Sequence, residues 1–423
     1  MVRRPPILLG NAGWTGTLAA SRLLGRHGIP VTVTSHERFS HTRFSRHVDR
    51  FVRSPAYDGD GFIDWLVAFG REHPGYVLYP TSDSLAFLYA LHADALSRHF
   101  RLSVPSLDTL VTVLDKKRLY AAANAAGVRT PETRFPESHD EVAALADFAR
   151  GGVVVKPRTQ TLTLWGGKGS VVNDGAALLR SFDDVRRESR FGRAVLEHMP
   201  SADRPMVQRY YADASEHIYL LAGYADDSRG LFVTRASLKL LQWPRRLGVG
   251  LCFEEQPVIP ELEANVREML RRMDYRGLFQ IEFVRSGDQH LLIDFNPRFY
   301  LPLAFEIARG MPLPLMVYAE AIGDYAWLER LVADARTSPG ASYGAFCNGV
   351  GLHLLLAAQG LSGRMPSPQI QKWRRWYAST SGRRLDSHAD AGDPLPSVIF
   401  AANELYGVAR HPRYFYRRIF LDA

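Results

Sequence analysis

The chain has 423 residues, 46% of them hydrophobic and 23% charged, and a formal net charge of +8 at pH 7. This length exceeds that of one simple domain and predicts two or three, and the sequence contains no internal repeat or low-complexity tract. Two cysteines, Cys252 and Cys347, form no Cys-x-x-Cys pair, so neither a disulfide framework nor a thiolate zinc site is expected. The positive charge favours acidic ligands such as nucleotides, nucleic acid or an anionic membrane surface.

We predict a cytoplasmic protein. Prolines and glycines break the N-terminal stretch MVRRPPILLG too early for a secretory signal, and the apolar segment at 351–361 is shorter than the roughly 18 residues that span a bilayer. Two later segments, QKWRRWY (371–377) and RHPRYFYRRIF (410–420), mix aromatic and basic residues. They indicate either a helix face backed by packed aromatic side chains or peripheral contact of the basic C-terminus with a membrane surface.

Short apolar runs alternate with helical patterns over the first hundred residues. ILLG (7–10), VTVTS (31–35), YVLYP (76–80) and LSVP (102–105) are typical of strands, and helical periodicity lies between them. This alternation predicts a parallel sheet covered on both faces, in a Rossmann-like α/β domain over residues 1–108.

The loop after the first predicted strand, GNAGWTG, contains Gly10, Gly13 and Gly16. Their spacing is not Gly-x-Gly-x-x-Gly, and Ser35-His36 stand where a dinucleotide-binding fold needs an acid for the ribose. A nicotinamide-dependent oxidoreductase that uses this turn is an alternative hypothesis, and both departures from the dinucleotide-binding pattern argue against it.

We expect the same loop to form the floor of a substrate cleft, where N–H groups from Asn11 to Trp14 meet a carboxylate. Ser82 and Asp83 follow another predicted strand, at the sheet edge where parallel sheets bind ligands. These two residues either line the substrate side or cap the next helix.

The pattern changes after Ser106. A predicted helix pair ends at Gly127, the strand VVVKPR (153–158) precedes a glycine-rich loop, and longer β-rich runs follow. We predict an α+β domain over residues 109–330 and a helical C-terminal extension over residues 331–423.

Two β-rich runs, FQIEFVR and HLLIDFN, flank Ser286-Gly287-Asp288 and predict a hairpin. Asp294 and Asn296 are two residues apart and share a face of their strand. Glu282 joins that face if three residues form the loop, and Asp294 is then expected diagonal to it. Two carboxylates and an amide oxygen suit Mg²⁺ rather than zinc. The alternative is that Asp294 and Asn296 only cap the strand ahead of Pro297.

Lys156 ends the apolar strand VVVKPR, where its ammonium group suits a phosphate. The loop that follows offers unhindered backbone N–H groups and another cation, although it is not a P-loop. Its residues are Gly166, Gly167, Lys168, Gly169 and Ser170. Together with the expected magnesium face, they predict a nucleotide triphosphate site.

From about Leu114 to Ala321 the order of these motifs resembles an ATP-grasp domain. DKKRLYAAANAAGVRTPET resembles the opening helix of that superfamily, VVVKPR its phosphate-lysine strand, GGKGS its mobile phosphate loop, VQRYYA its adenine hinge, and IEF with IDFNPRF its paired metal strands. The layout, including VLYPTSD, is most similar to the D-aspartate-ligase-like branch of predicted ATP-dependent carboligases. The resemblance implies a two-subdomain ATP-grasp fold behind the Rossmann-like domain.

The resemblance also implies which residues bind ATP. Lys116 and Lys156 bind the phosphates, with Lys117 competing for the role of Lys116, and the glycine-rich loop closes over them. The adenine is lined, chiefly by backbone groups, by Gln208, Arg209, Tyr210 and Tyr211.

Metal and substrate positions follow from the same resemblance. Glu282, Asp294 and Asn296 hold Mg²⁺, with Mn²⁺ as the alternative ion. Arg298 faces the reacting carboxylate or the γ-phosphate. The other candidates on the substrate side are Tyr300, Lys239, Asn11, Ser82 and Asp83.

These roles predict an ATP-dependent carboxylate–amine ligase that forms an amide bond through an acyl phosphate. ATP and Mg²⁺ are the expected cofactors, and an amino acid or small peptide is the expected substrate. We expect small-molecule carboxylate and amine partners, no nucleic acid, and a homodimer as one candidate oligomer. The alternatives are the nicotinamide-dependent oxidoreductase and a basic protein that binds a membrane surface or nucleic acid without catalysis.

Overall fold

The computed structural model describes residues 4–59, 61–163, 169–212, 217–245, 247–337 and 343–410. The elements of its first part are β1 (Ile7–Leu9), α1 (Thr15–Arg26), β2 (Val31–Ser35), β3 (Arg50–Arg53), α2 (Phe62–Glu72), β4 (Val77–Tyr79), α3 (Asp83–Leu91), α4 (Ala93–Leu96) and β5 (Arg101–Leu102), with a short 3₁₀ helix at His41–Phe44. The strands form a parallel five-stranded sheet in the order β3-β2-β1-β4-β5. The predicted parallel sheet is present, and β3 is an edge strand that the sequence pattern did not indicate.

A second, four-stranded antiparallel sheet follows. The elements around it are α5 (Leu107–Leu114), α6 (Lys116–Ala125), β6 (Thr133–Arg134), α7 (His139–Ala143), α8 (Ala146–Arg150), β7 (Val153–Lys156), β8 (Ser170–Val172), α9 (Gly175–Glu188), α10 (Arg193–His198) and β9 (Met206–Arg209). Its strand order is β6-β9-β7-β8. Val153 and Val155 of β7 are buried in one cluster with Phe182 of α9, so this small unit has its own apolar core.

The third sheet has seven strands in the order β14-β13-β10-β11-β12-β15-β16. Its elements, in chain order, are β10 (Ile218–Asp226), β11 (Leu231–Trp243), β12 (Val249–Gln256), α11 (Pro260–Arg272), β13 (Gly277–Ser286), β14 (Gln289–Asn296), α12 (Leu303–Ala308), α13 (Leu313–Ile322), α14 (Tyr325–Thr337), β15 (Ala345–Cys347), α15 (Gly349–Leu361), α16 (Ser367–Ser379), β16 (Arg384–Asp386) and α17 (Leu395–Arg410).

The two faces of this sheet differ in chemistry because strand side chains alternate. On β13, Phe279, Ile281 and Phe283 are buried in the apolar core that α5, α6 and α11 cover. Gln280 and Glu282 therefore point to the opposite face. This alternation leaves one face of the sheet's edge free for polar side chains.

The C-terminal part contains helices, as predicted, and also two strands of the large sheet. β15 pairs with β12, and β16 pairs with β15. The segment 371–377 lies in α16, where Trp373 is buried and Trp376 donates to a carboxylate oxygen of Glu254. For the segment 371–377, the structure thus shows a helix face backed by packed aromatic side chains. The divisions at residues 108 and 330 stay predictions.

The C-terminal part is also joined to the first sheet. Arg22 of α1 donates through Nε to Asp393 at 2.9 Å, and Ser45 donates to the same carboxylate at 2.6 Å. Both Arg22 and Asp393 are buried, so removal of either partner would leave a buried charge without its counterion. Across the described ranges, no helix has the length and hydropathy to span a membrane.

Helices α12 and α13 connect the large sheet to the first unit. Tyr79, Phe299 and Leu303 lie in one apolar cluster that includes residues of both parts. Gly16 in the first turn of α1 lies against the same segment: a Cβ there would lie 2.6 Å from the carbonyl oxygen of Tyr300. This packing fixes the start of α1 against the segment that follows β14.

Candidate active site

The hairpin of β13 and β14 places Glu282 directly opposite Asp294. The expected three-residue loop and diagonal placement are wrong, because Ser286 pairs with Gln289 and only two residues form the turn. That turn alone would put the two acids on opposite faces. A β-bulge near Ile293 advances the register by one residue and returns Asp294 to the face of Glu282.

Each of the two acids is paired with a lysine from another element. Lys239 of β11 donates through Nζ to Glu282 at 2.7 Å, and Lys116 at the start of α6 donates to Asp294. The N–H of Lys116 also donates to the carbonyl of Arg158 at 3.0 Å, which holds the start of α6 beside the segment after β7. The lysines therefore bring two sheets and a helix terminus together at the end of the hairpin.

The donor set suits a hard divalent cation. Glu282 and Asp294 carry carboxylate oxygens on one face, and each already neutralises a positive group, the place a metal ion would take. Within the described ranges, no cluster of three or more histidine, cysteine and acidic side chains is positioned for a metal. A cation at the paired acids would be held by Glu282 and Asp294, with Asn296 as a third protein donor.

Asn296 is held in place by its neighbours. Its side-chain nitrogen donates to Gln280 at 3.1 Å, and its oxygen accepts from Arg298 at 2.6 Å. Gln280 was missed at the sequence level, although its position two residues before Glu282 on one strand face was a usable signal.

The two adjacent lysines at the start of α6 point to different partners. Lys116 reaches Asp294, whereas Nζ of Lys117 lies 3.7 Å from Glu137. Of the two candidates, Lys116 is the one beside Asp294 on β14. Lys156 ends β7, two residues before Arg158, whose carbonyl accepts from Lys116. The structure thus places the expected phosphate lysines in neighbouring segments.

The glycine-rich loop returns to the sheet at Gly169 and Ser170. Gly169 has a φ of +128°, and a Cβ there would lie 2.7 Å from the carbonyl of Val155, so this position requires glycine. Ser170 begins β8 and is exposed. The other loop candidates, Gly166, Gly167 and Lys168, lie outside the described residues.

The expected adenine strand is β9. The amide of Gln208 is buried and donates to the hydroxyl of Tyr120 at 2.9 Å. The N–H groups of Arg209 and Tyr210 donate to carbonyls of neighbouring segments at 2.9 and 3.1 Å, so neither is left for a base. Tyr211 is partly buried, and burial raises the pKa of its hydroxyl. An adenine contact by this strand stays a prediction.

Arg298 joins the end of β14 to the first unit. Its Nε donates to Asp83 at 3.0 Å, its Nη2 donates to Asn296, and its guanidinium lies 5.7 Å from the ring centroid of Trp14. Trp14 belongs to the loop that is expected to form the floor of the substrate cleft. The end of β14, the opening loop and the start of α3 therefore meet around one arginine.

The opening loop is tied to the end of β4. Thr81 donates to the carbonyl of Gly10 at 3.0 Å. Asn11 has a φ of +49°, and its side-chain nitrogen is buried without a hydrogen-bond partner among the described residues. Ser82 accepts from the N–H of Leu85 at 3.2 Å and caps α3, which is the alternative role expected for it. Asn11 and Asp83 are thus the candidates on this side of the cleft.

Tyr300 does not occupy the expected position on the substrate side. Its side chain is 1% exposed and belongs to the apolar cluster that contains Tyr79 and Phe299. Burial raises the pKa of Tyr300 well above its ordinary value. Its backbone packs on α1, and this close packing turns the ring into the core between the two parts.

A buried ion pair follows the site strand on α12. Arg309 donates to Glu306 at 3.2 Å and to the carbonyl of Ala236 at 2.8 Å, and both charged side chains are buried. Burial raises the pKa of Glu306 to about 7, and Arg309 opposes that rise. Glu306 was not a candidate at the sequence level, because nothing in the pattern of α12 distinguished it from a surface acid.

No protein-family model matches the sequence, and no curated protein matches it. Solved structures do resemble the fold. The biotin carboxylase domain of 2-oxoglutarate carboxylase from Hydrogenobacter thermophilus is 15% identical with a TM-score of 0.58, over 75% of this chain and 69% of that one. An L-amino acid ligase from Bacillus licheniformis is 14% identical with a TM-score of 0.57, over 76% and 75% of the two chains. N5-carboxyaminoimidazole synthetase from Staphylococcus aureus is 13% identical with a TM-score of 0.54, over 72% and 73%.

These three proteins share the ATP-grasp fold. At this level of identity the likeness concerns architecture, and function depends on the site itself. Each match covers about three quarters of this chain, and the likeness confirms the predicted combination of a Rossmann-like domain with a two-subdomain domain. The chain therefore has the ATP-grasp fold that the order of its motifs predicts.

Proposed function

We propose that this protein is an ATP-dependent ligase that joins a carboxylate to an amine through an acyl phosphate. The observation that carries the proposal is the hairpin on which Glu282 and Asp294 face each other, each paired with a lysine from another element. Arg298 lies at the end of the same strand. Acids that hold a divalent ion, beside cations that neutralise phosphate oxygens, suit phosphoryl transfer.

The reaction explains why ATP is needed. A carboxylate is a poor electrophile because its leaving group would be oxide. Attack of a carboxylate oxygen on the γ-phosphorus breaks the bond to ADP and forms an acyl phosphate. The amine then attacks the acyl carbon, phosphate leaves with its electron pair, and the amine loses a proton as the amide forms.

Each role in this scheme falls on a residue of the hairpin or its surroundings. We assign Glu282, Asp294 and Asn296 to the metal, and Lys116 and Lys156 to the triphosphate. When bound, Mg²⁺ supplies positive charge to the phosphate oxygens. Release of the two acids to the metal frees the ammonium groups of Lys116 and Lys239 for anions, the first for phosphate and the second for the substrate carboxylate.

We assign the cleft between the opening loop and the end of β14 to the substrates. Arg298 orients the carboxylate or the γ-phosphate, as guanidinium groups pair with such anions through two N–H bonds. Asp83 and the amide nitrogen of Asn11, which has no hydrogen-bond partner among the described residues, lie on the side of the first unit. An amino acid could offer its ammonium group to the first and its carboxylate to the second.

The proteins of similar fold support the cofactor assignment. The carboxylase domain from Hydrogenobacter thermophilus was solved as a dimer with MgADP, ADP and bicarbonate, and the synthetase from Staphylococcus aureus with ADP. The Bacillus licheniformis protein is a ligase of L-amino acids. We extend ATP, Mg²⁺ and an amino-acid substrate to this chain on that basis. Replacement of Mg²⁺ by Mn²⁺, a homodimer and a cytoplasmic location stay predictions.

The nicotinamide alternative has less support from the opening loop. Gly16 approaches the backbone of Tyr300, so protein packing accounts for the glycine at the start of α1. At the end of β2, Ser35 accepts the N–H of Glu37 at 3.1 Å and stands where a ribose-binding acid is needed.

The test measures ADP release from ATP and Mg²⁺ with a panel of amino acids, alone and in pairs. We expect a subset of pairs to stimulate release well above the rate without amino acid. Mass spectrometry of the same mixtures should show a product whose mass equals two substrates minus one water.

The proposal is overturned if calorimetry detects no binding of ATP and no pair of amino acids stimulates ADP release. ADP release without any condensed product would instead indicate an ATPase or a kinase, and would also overturn it.

A further inference from the structure

The outward face of α17 is an apolar stripe. Leu395, Val398, Leu405 and Tyr406 are 57–63% exposed, and Ala402 between them is also exposed. Their spacing of three and four residues aligns them along one side of the helix. Amphipathic helices of folded proteins normally turn such a side toward the core, so an exposed stripe of this kind is a candidate interaction surface.

The other side of α17 is packed. Phe400 stacks on His388 with 3.7 Å between ring centroids, and the side chain of Asn403 donates to the carbonyl of Phe39 at 2.8 Å. These contacts fix the rotation of the helix about its axis. Phe39, itself 64% exposed, extends the apolar surface beyond the helix.

Positive groups flank the stripe. Arg38 and Arg410 are exposed, and exposed Arg46 donates to the carbonyl of Gly392 just before α17. Exposed Glu37 is the neighbour of Arg38 in sequence. Residues 411–423 lie outside the described residues, and their sequence contains three arginines and one acid, Asp422.

The acids closest to the start of α17 are already neutralised. Asp390 pairs with Arg26, and Asp393 pairs with Arg22. Glu404 on α17 and exposed Glu37 are two further acids, against the three exposed arginines, so the described surroundings of the stripe keep a net positive charge, which complements an anionic surface.

We propose that the α17 stripe, defined as Leu395, Val398, Ala402, Leu405 and Tyr406, docks this protein on an anionic lipid surface. Apolar side chains enter the interface between headgroups and acyl chains, and the flanking arginines meet lipid phosphates. This inference does not depend on the proposed ligase function.

A second copy of the chain is the competing occupant of the stripe. Two copies joined through α17 would bring their flanking arginines together, and like charges oppose such contact. An anionic lipid surface satisfies the apolar stripe and the positive flanks at once. The charge pattern therefore favours lipid.

Docking through α17 would also hold the candidate active site near the lipid surface. The 3₁₀ helix at His41–Phe44 packs against α17. The N–H of Thr42 in that helix donates to the carbonyl of Ala12 in the opening loop at 3.0 Å. One short helix thus separates the stripe from the expected substrate cleft.

The test is co-sedimentation of the full chain with vesicles. Vesicles of phosphatidylcholine alone are compared with vesicles that also contain phosphatidylglycerol. We expect binding to the anionic vesicles only, with an affinity that falls as salt is raised. The double variant Val398→Glu, Leu405→Glu should lower that affinity about tenfold or more, because two apolar side chains no longer enter the interface.

Leu361→Glu is the matched control, because Leu361 is 85% exposed at the end of α15, outside the stripe. It should bind anionic vesicles as the wild type does. Light scattering after gel filtration gives the second readout. The proposal is overturned if the wild type does not bind anionic vesicles, or if the double variant binds them as well as the wild type does. It is also overturned if the wild type is a dimer and the double variant is a monomer with unchanged lipid binding.

Discussion

Replacement of Gly16 by alanine should separate α1 from the segment that carries Arg298. The added Cβ would lie 2.6 Å from the carbonyl oxygen of Tyr300 and 3.1 Å from its nitrogen. Both atoms are backbone, so no side-chain rotation relieves the contact. Ordinary contact begins at 3.4 Å, and 3.4 minus 2.6 leaves about 0.8 Å by which the two backbones must move apart.

The size and sign of the effect follow from this overlap. Forced expansion of a packed contact costs about 1–3 kcal/mol of stability. Without the overlap, alanine would instead raise helix stability by up to about 1 kcal/mol over glycine. A shift of this size near Arg298 should also lower turnover about tenfold or more, because misplacement by 1 Å can cost roughly a hundredfold.

Urea unfolding of Gly16→Ala, with Gly13→Ala as the control, measures the effect. A Cβ at Gly13 would meet nothing closer than 3.7 Å, so that variant should unfold like the wild type. A Gly16→Ala protein as stable as the wild type, or more stable, would refute the argument that α1 and the Tyr300 backbone are in close contact.

Three further predictions concern charge. Lys116→Ala should lower the affinity for ATP at least about tenfold in calorimetry. Lys117→Ala removes an ammonium group that lies 3.7 Å from Glu137 and should change the affinity little. Equal losses of affinity in the two variants would contradict the assignment. Burial raises the pKa of Glu306 from 4.5 to about 7, so the stability it contributes is present below pH 4.5 and lost as pH rises through 7. Glu306→Gln should remove roughly 3 kcal/mol of this pH dependence in unfolding measurements, and an unchanged pH profile would count against a buried acid. Burial lowers the pKa of His41 to about 3, so the stability that the neutral imidazole contributes is present above pH 6.5 and lost as pH falls toward 3. Between pH 7 and pH 5, His41→Leu should therefore lose roughly 2 kcal/mol less stability than the wild type. An equal loss in both proteins would contradict the burial of a neutral His41.

The paired acids show how far sequence patterns extend to the site. The two-residue spacing of Asp294 and Asn296 predicted a shared face, and that face is present. The position of Glu282 depended on loop length plus any bulge, and a two-residue turn with a bulge gives the same parity as a three-residue loop. The face was therefore predictable, but the register was not.

Contacts between distant segments were beyond the sequence patterns. Residue types at 116 and 117 are identical, so only the packing of α6 distinguishes the lysine that reaches Asp294. Arg298 was predicted at the reacting groups from its motif. Its pairing with Asp83, over 200 residues away, depends on how the first unit docks on the large sheet.

The C-terminal part shows the same limit. Strands β15 and β16 have three residues each, too few for a period-2 pattern, and β16 joins the sheet only after two intervening helices. The helices α15 and α16 agree with the predicted helical extension, whose individual elements the sequence analysis did not place. The stripe on α17 became visible only once packing showed which side of the helix faces outward.

The central claim is that the paired acids hold the metal for ATP chemistry. Its most direct test is turnover of Asp294→Ala, with Asp288→Ala as the control, because Asp288 is fully exposed at the turn of the same hairpin. We predict that Asp294→Ala lowers Mg²⁺-dependent ADP release at least about a hundredfold while its unfolding curve stays cooperative, and that Asp288→Ala retains wild-type activity. Equal ADP release by Asp294→Ala and the wild type would contradict the account.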